Sequence, residues 1–391
     1  MDTTPQRPYS ALIVGAGVAG LEAALCLREV APTAVATTVL APDDAYVDRP
    51  MSVREPFGRA RASRFPVTDL LTDAGIAHAR GALRWLDHRA RQAHTTDGVT
   101  LGYDAILLAL GARPYHRFPR ALTIDPRRID AQLRGIVADV EAGSITRLVF
   151  VIPPGRTWPL PAYELALMTA ARAHEMGMAP QITLVTPEPV PLAVFGEAAS
   201  AAVAAALADA EITLVSAAVA HVRAPGQVHI EDRARDLIAD YVITLPELRG
   251  PGVAGVPATG LRGFMATDAS GRVRHLPGVF AAGDITSFPV KQGGIAAAQA
   301  EAAARAIAAL AGVEVPEAPF EPVVHGILLG PVRPLYLRAR LIGAWPVSSE
   351  VSEVPLWDPA DKIHAPRLTR ALAGYHRLGS DLPLRPFSLS S

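Results

Sequence analysis

The sequence predicts an α/β protein built from open parallel sheets wrapped by helices, and three observations carry that prediction. An apolar run, Leu12-Ile-Val14, opens into Gly15-Ala-Gly17-Val-Ala-Gly20 and then into a helical pattern through Ala23, Ala24, Leu25 and Leu27. Residues 120–250 again alternate strand-like and helix-like segments. A third strand-like run, Gly278-Val-Phe-Ala-Ala-Gly283-Asp284, then leads to Lys291-Gln-Gly-Gly294 and a regular helix over 295–310, as if the chain returns to its first unit.

Taken in order, the glycine turn has the strand–turn–helix context that a dinucleotide-binding motif requires. Gly15 permits the tight turn, and Gly17 has no side chain to keep the backbone from a pyrophosphate. Gly20 lets the helix pack close, with its first N–H groups facing the phosphates. Residues 34–40 read as the second strand. An acidic residue near its end is expected for an adenosine ribose, and the place reads Ala41-Pro42-Asp43-Asp44. Either Asp43 takes that role, beside Pro42, or the backbone does. Trp85 to Thr100 reads as a hairpin about Asp97-Gly98. Tyr103 to Pro114 reads as a buried strand stopped by glycine and proline, where the chain leaves its first unit. Past Pro316 the character changes, with a strand pair over 320–340 and a loop and helix over 357–375.

Bulk properties exclude several classes. With 391 residues, half of them hydrophobic, the chain can bury two or three cores. Lys and Arg number 37 against 38 Asp and Glu, so nothing advertises nucleic acid or an anionic membrane. Met1 to Ser10 is polar and runs straight into the first strand, which predicts no signal peptide and a cytoplasmic protein. The alanine runs are too short to span a bilayer. The single cysteine, Cys26, forbids an intrachain disulfide and a redox pair, and it reads as a small buried residue. The 11 histidines show no ligand spacing, so no metal is expected.

Four segments in order, Gly15 to Gly20, Leu110-Gly-Ala-Arg-Pro114, Ala282-Gly-Asp284 and Lys291-Gln-Gly-Gly294, resemble the FAD-dependent pyridine nucleotide-disulfide oxidoreductase superfamily. The nearest likeness is to the branch of sulfide:quinone and type II NADH:quinone oxidoreductases. The resemblance implies two Rossmann-like domains, the second inserted in the first, and a C-terminal cap. The FAD-binding domain would take residues 1–118 and 251–315, an NAD(P)-binding-like domain 119–250, and the cap or interface region 316–391. It further implies that Gly15, Gly17, Ala19 and Gly20 hold the FAD pyrophosphate and that Arg49 and Pro50 lie along the flavin. Gly111 and Arg113 would close the adenosine side, while Gly283 and Asp284 reach the ribityl chain and pyrophosphate. Lys291 and Gln292 would face the N1/O2 edge, where a cation and a helix N-terminus stabilise reduced flavin.

The departures from the family pattern are equally specific. A second glycine motif is expected after the first strand of the middle unit, and the chain reads Pro153-Pro-Gly155-Arg-Thr-Trp158-Pro there. NAD(P)H binding in the usual way is therefore not expected. Glu164 falls just inside the following helix, and three readings stand: a proton-transfer carboxylate, the partner of a lysine such as Lys291, or a first-turn residue favoured by the helix dipole. The cysteines used by sulfide-oxidising relatives are missing, and no Lys-rich amphipathic helix offers a membrane anchor. Trp158 and Tyr163, with Trp345 and Trp357, mark either a substrate pocket or ordinary core.

The expected activity is transfer of a hydride or two electrons between a small molecule and an acceptor such as a quinone or oxygen. Lys291 and Glu164 are the candidate catalytic residues, and a homodimer stays open. Two alternatives stand beside it: an NAD(P)H:quinone-type reductase gripping its nicotinamide cofactor through Gly155 and Arg156, and a non-catalytic binding protein that keeps the fold.

Overall fold

The computed structural model describes residues 7–58, 61–231, 236–257, 261–316, 318–330 and 333–375. In the first part of the chain lie β1 (Tyr9–Val14), α1 (Val18–Val30), β2 (Val35–Ala41), β3 (Ala77–Arg80) and β4 (Ala105–Leu108). The middle part holds β5 (Leu122–Thr123), α2 (Ile129–Glu141), β6 (Arg147–Val151), α3 (Leu160–Glu175) and β7 (Gln181–Val185). It continues with α4 (Glu197–Asp209), β8 (Thr213–Val215) and β9 (Tyr241–Thr244). The last part holds β10 (Val279–Ala281), α5 (Gly293–Leu310), β11 (Val323–Leu328), β12 (Leu335–Ile342) and α6 (Pro366–Ala373).

Two five-stranded sheets organise the chain. The first runs β10-β4-β1-β2-β3 and the second β5-β9-β6-β7-β8, with every neighbour parallel. Parallel strands are covered on both faces, so they read as continuous apolar runs rather than alternating ones. Leu12, Ile13 and Val14 show this, for all three are buried. Ile13 lies opposite Val39 on one side and Leu107 on the other. Strand β10 completes the first sheet from beyond the middle unit, because the chain returns after β9.

Helix patterns follow the same logic. On α2 the buried residues Ile129, Leu133, Ile136, Val137 and Val140 fall on one helical stripe. On the alanine-rich α4, Ala199, Val203 and Leu207 turn inward at a four-residue spacing. Helices α1 and α5 cover the first sheet together and meet through small residues, Ala19, Ala23, Ala300 and Ala304 among them. Around Asp97-Gly98 the structure is richer than a hairpin. Three antiparallel strands form there, Leu83–Asp87, Gln92–Thr95 and Thr100–Gly102, and the Asp-Gly turn joins the second to the third.

The C-terminal part adds an antiparallel β11–β12 pair, with Glu350–Ser352 along its other edge. Helix α6 is clamped onto α1 by Glu22, whose carboxylate accepts the backbone N–H of Arg367 and Leu368 at 3.2 and 2.8 Å. The Arg367 guanidinium also reaches Glu29 and Glu301. Burial raises the Glu22 carboxyl above its usual range, against the opposing pull of those N–H groups and Arg367.

Candidate active site

The glycine turn is shaped as a cradle. Gly15 has φ +112°, and a Cβ there would sit 2.5 Å from the Ala109 carbonyl oxygen. A Cβ on Gly20 would lie 1.8 Å from the Gly15 carbonyl oxygen, so only glycine lets α1 press onto the turn. Gly17 is different: a Cβ there would meet nothing within 4 Å, because the backbone faces open space. Gly17 is also the N-cap of α1 and supplies no side-chain cap, leaving the first-turn N–H groups toward that space. An open glycine at an uncapped helix N-terminus fits a pyrophosphate.

Gly283, with φ +79°, nests between Ala19 and Ala296, whose Cβ atoms would lie 3.1 and 3.3 Å from a side chain at that position. Its N–H donates to Gln299 Oε1 at 2.8 Å, which fixes the loop carrying Asp284. The Asp284 carboxylate has no hydrogen-bond partner among the described residues, and burial raises its pKa against the opposing charge of Lys291. The cradle and this loop thus bring Gly15, Gly17, Ala19, Gly20, Gly283 and Asp284 together at the ends of β1 and β10.

Lys291 stands just before α5 and is 4% exposed. Its Nζ donates to the Asp284 carbonyl at 3.0 Å and to the Thr286 carbonyl, and it lies 4.2 Å from the Phe264 ring centroid. Burial lowers its pKa to about 8, against the raising effect of Asp284. Gln292 caps α5: its Oε1 accepts the Ile295 N–H at 2.9 Å, and its Nε2 donates to the His325 carbonyl. Gln292 is therefore held by the protein at both ends.

The remaining expected sites lie on loops and element ends. Pro42 and Asp43 are exposed just past the end of β2, and the neighbouring Asp44 is paired with Arg80. Arg49 is exposed at the start of a 3-10 turn, with Pro50 following. Gly111 takes φ +68° just beyond β4, and Arg113 is exposed on a short strand pairing with Arg249.

Glu164 corrects an expectation. Its partner is Lys362, not Lys291: Lys362 Nζ lies 2.7 Å from the carboxylate, and the Leu329 N–H donates to it at 3.0 Å. The reason is topological, since α3 faces the C-terminal part at this point while Lys291 is held by its own loop. Glu164 is fully buried, and burial raises its pKa against the Lys362 charge. Lys362 also donates to the Pro50 carbonyl at 3.0 Å. One ammonium therefore ties the C-terminal part to both α3 and the Pro50 loop. Tyr163 likewise turns inward. It is fully buried and donates to Glu188 at 2.8 Å. Trp158 is partly buried against Phe195, with ring centroids 5.8 Å apart.

Lys362 and Phe264 were not singled out from the sequence. A signal for the lysine was present. The chain contains two lysines among its 37 basic residues, Lys291 and Lys362, and both are buried. Where arginine supplies nearly all the positive charge, a lysine marks a place that needs a compact ammonium. Phe264 carries no comparable signal.

A match to the pyridine nucleotide-disulphide oxidoreductase family spans residues 162–306. Over that segment the chain is similar to the pyridine nucleotide-disulphide oxidoreductases. In class it is an FAD-dependent oxidoreductase, and the open cradle at Gly17 is compatible with that cofactor. An NADH dehydrogenase-like protein of Mycobacterium tuberculosis is 29% identical over 297 residues, covering 71% of this chain and 72% of that protein. Among solved structures, the sulfide:quinone oxidoreductase of the hyperthermophilic bacterium Aquifex aeolicus superposes with a TM-score of 0.76 at 18% identity. It covers 88% of this chain and 87% of its own. An NAD-dependent persulfide reductase from A. fulgidus gives 0.60 at 14% identity, over 84% of this chain and 64% of its own. These two likenesses establish the two-sheet fold. Among the described residues, no helix is long and apolar enough to cross a membrane.

Proposed function

We propose that this oxidoreductase moves a hydride or two electrons between a small molecule and an acceptor such as a quinone or oxygen, in the cytoplasm and without a redox cysteine. In this reading residues 1–118 and 251–315 form the FAD-binding unit, 119–250 the inserted unit and 316–391 the cap. FAD, when bound, supplies the two-electron chemistry. Gly15, Gly17, Ala19 and Gly20 hold its diphosphate, with Asp43 toward the ribose and Asp284 toward the ribityl chain. Lys291 holds positive charge at the flavin edge.

The observation that carries the reading is the turn after β6. A nicotinamide cofactor needs a glycine turn there and a free carboxylate at the end of the next strand. Instead Pro153, Pro154 and Pro159 stiffen the turn. The carboxylate past β7, Glu188, is already held by Tyr163 at 2.8 Å and by the Thr186 hydroxyl at 2.9 Å. The donor is therefore a compound other than NADH.

Cys26 takes no part in this chemistry. It is buried on α1, and burial pushes its thiol up to about 12. A Cys26→Ser protein should keep its flavin and its rate of flavin reduction. Loss of reduction with flavin still bound would refute the cysteine-free mechanism.

One observation favours the NAD(P)H reading. Arg156 Nη1 is buried without a partner among the described residues, with its guanidinium 5.3 Å from the Phe264 centroid. A phosphate could occupy that donor, and the mycobacterial relative is described as NADH dehydrogenase-like.

A further inference from the structure

A cavity of about 670 Å³ opens at the carboxyl ends of β6 and β7, in the crevice where an open α/β sheet places its ligand. Pro153, Pro187, Pro189 and Pro191 line it, with Trp158 on one wall and Trp345 at the C-terminal side. Its floor along α4 is made of small residues, Ala201 and Ala204, beside Ser200. No Lys, Arg or His is among the lining residues, and its two charged members are the carboxylates Glu188 and Glu197.

We propose that this cavity binds an uncharged, largely apolar ring compound, held between Trp158 and Trp345 and oriented by the Ser200 hydroxyl. Four features support that class of ligand. The volume suits a two- or three-ring molecule. Prolines and alanines offer apolar surface and few donors, and no cation among the lining residues is there to hold a pyrophosphate. Ser200 is 5% exposed, and its Oγ is buried without a hydrogen-bond partner among the described residues. Such a hydroxyl normally finds one, and a carbonyl or hydroxyl on a ring would supply it. Trp345 is 76% exposed, a large apolar ring left in water beside the opening. The cavity also reaches Pro289 and Val290, so part of its wall comes from the segment directly before Lys291.

This inference rests on the reading that the crevice does not hold a dinucleotide, and one calorimetric experiment separates the two. Menadione, an uncharged two-ring quinone, is titrated into the oxidised holoprotein, then NADH is titrated in a separate run and in competition. The expected result is one menadione site, no heat from NADH and no competition. Ser200→Ala should weaken menadione about three- to tenfold, the loss of one hydrogen bond. Ala204→Phe fills the cavity from an exposed helix position and should abolish the site at unchanged thermal midpoint. Absence of menadione heat in the unaltered protein overturns the inference and leaves the donor reading standing. Full menadione binding by a folded Ala204→Phe protein overturns the location. NADH binding that displaces menadione overturns the reading beneath it.

Discussion

At the scale of single residues, the glycine turn separates what the fold needs from what the cofactor needs. Gly20 is a packing requirement, since its Cβ would overlap the Gly15 carbonyl. Gly17 faces open space at φ −82°, a backbone that any residue adopts. Gly17→Val should therefore leave the flavin-free protein as stable as the original and abolish FAD binding. Gly20→Ala should lower stability by at least about 1–3 kcal/mol, because backbone must move. Thermal unfolding of the flavin-free forms, with the flavin content of the purified proteins, checks both. Equal flavin retention by Gly17→Val would remove the cradle from the account.

Lys291 gives a pH prediction at the same scale. Burial holds its pKa at about 8, so its ammonium is present below that pH and lost above it. Negative charge on a neighbouring flavin raises the value. The rate of flavin reduction should thus fall on the alkaline side, with its break at about pH 8 or higher. Lys291→Met should be slower below the break and lack it altogether. A Met variant that keeps the same alkaline limb would assign the titration to another group.

At the scale of elements, the Lys362–Glu164 pair is the joint between α3, the Pro50 loop and the C-terminal part. Breaking one side of a buried pair leaves an uncompensated charge and costs about 3–5 kcal/mol. Lys362→Met should be destabilised by that amount, and adding Glu164→Gln should recover most of it. Denaturant unfolding of the single and double variants measures the recovery. A double variant that is stable and still reduces its flavin at the original rate would make Glu164 a structural residue only. A stable double variant with slow flavin reduction would keep it as a proton-transfer group.

The legibility of these elements from the sequence was uneven, for physical reasons. The strand of residues 12–14, the glycine turn and the Gly283-Asp284 loop are local patterns, because each residue's role is set by its immediate neighbours. The partner of Glu164 is 198 positions away in the chain, and no spacing rule reaches that far. Tyr163 shows the same limit. An aromatic residue beside a helix start reads alike whether it lines a pocket or bonds inward, and only the position of Glu188 past β7 decides. The scarcity of lysine was visible in composition, yet it acquires meaning only once both lysines are seen buried.

At the scale of the whole molecule, two parallel-sheet units of similar build differ in what their first turns allow. The turn after β1 is open and glycine-rich, while the turn after β6 is stiffened by proline and backed by a carboxylate already in use. On the proposed reading the first crevice retains its dinucleotide and the second has exchanged its own for an apolar ligand. The most direct test is the visible spectrum of the purified protein before and after anaerobic addition of NADH. The expected result is an oxidised flavin spectrum that persists after NADH is added. Rapid bleaching at low NADH concentration would contradict it, and would make the turn at Gly155 and Arg156 a working nicotinamide site.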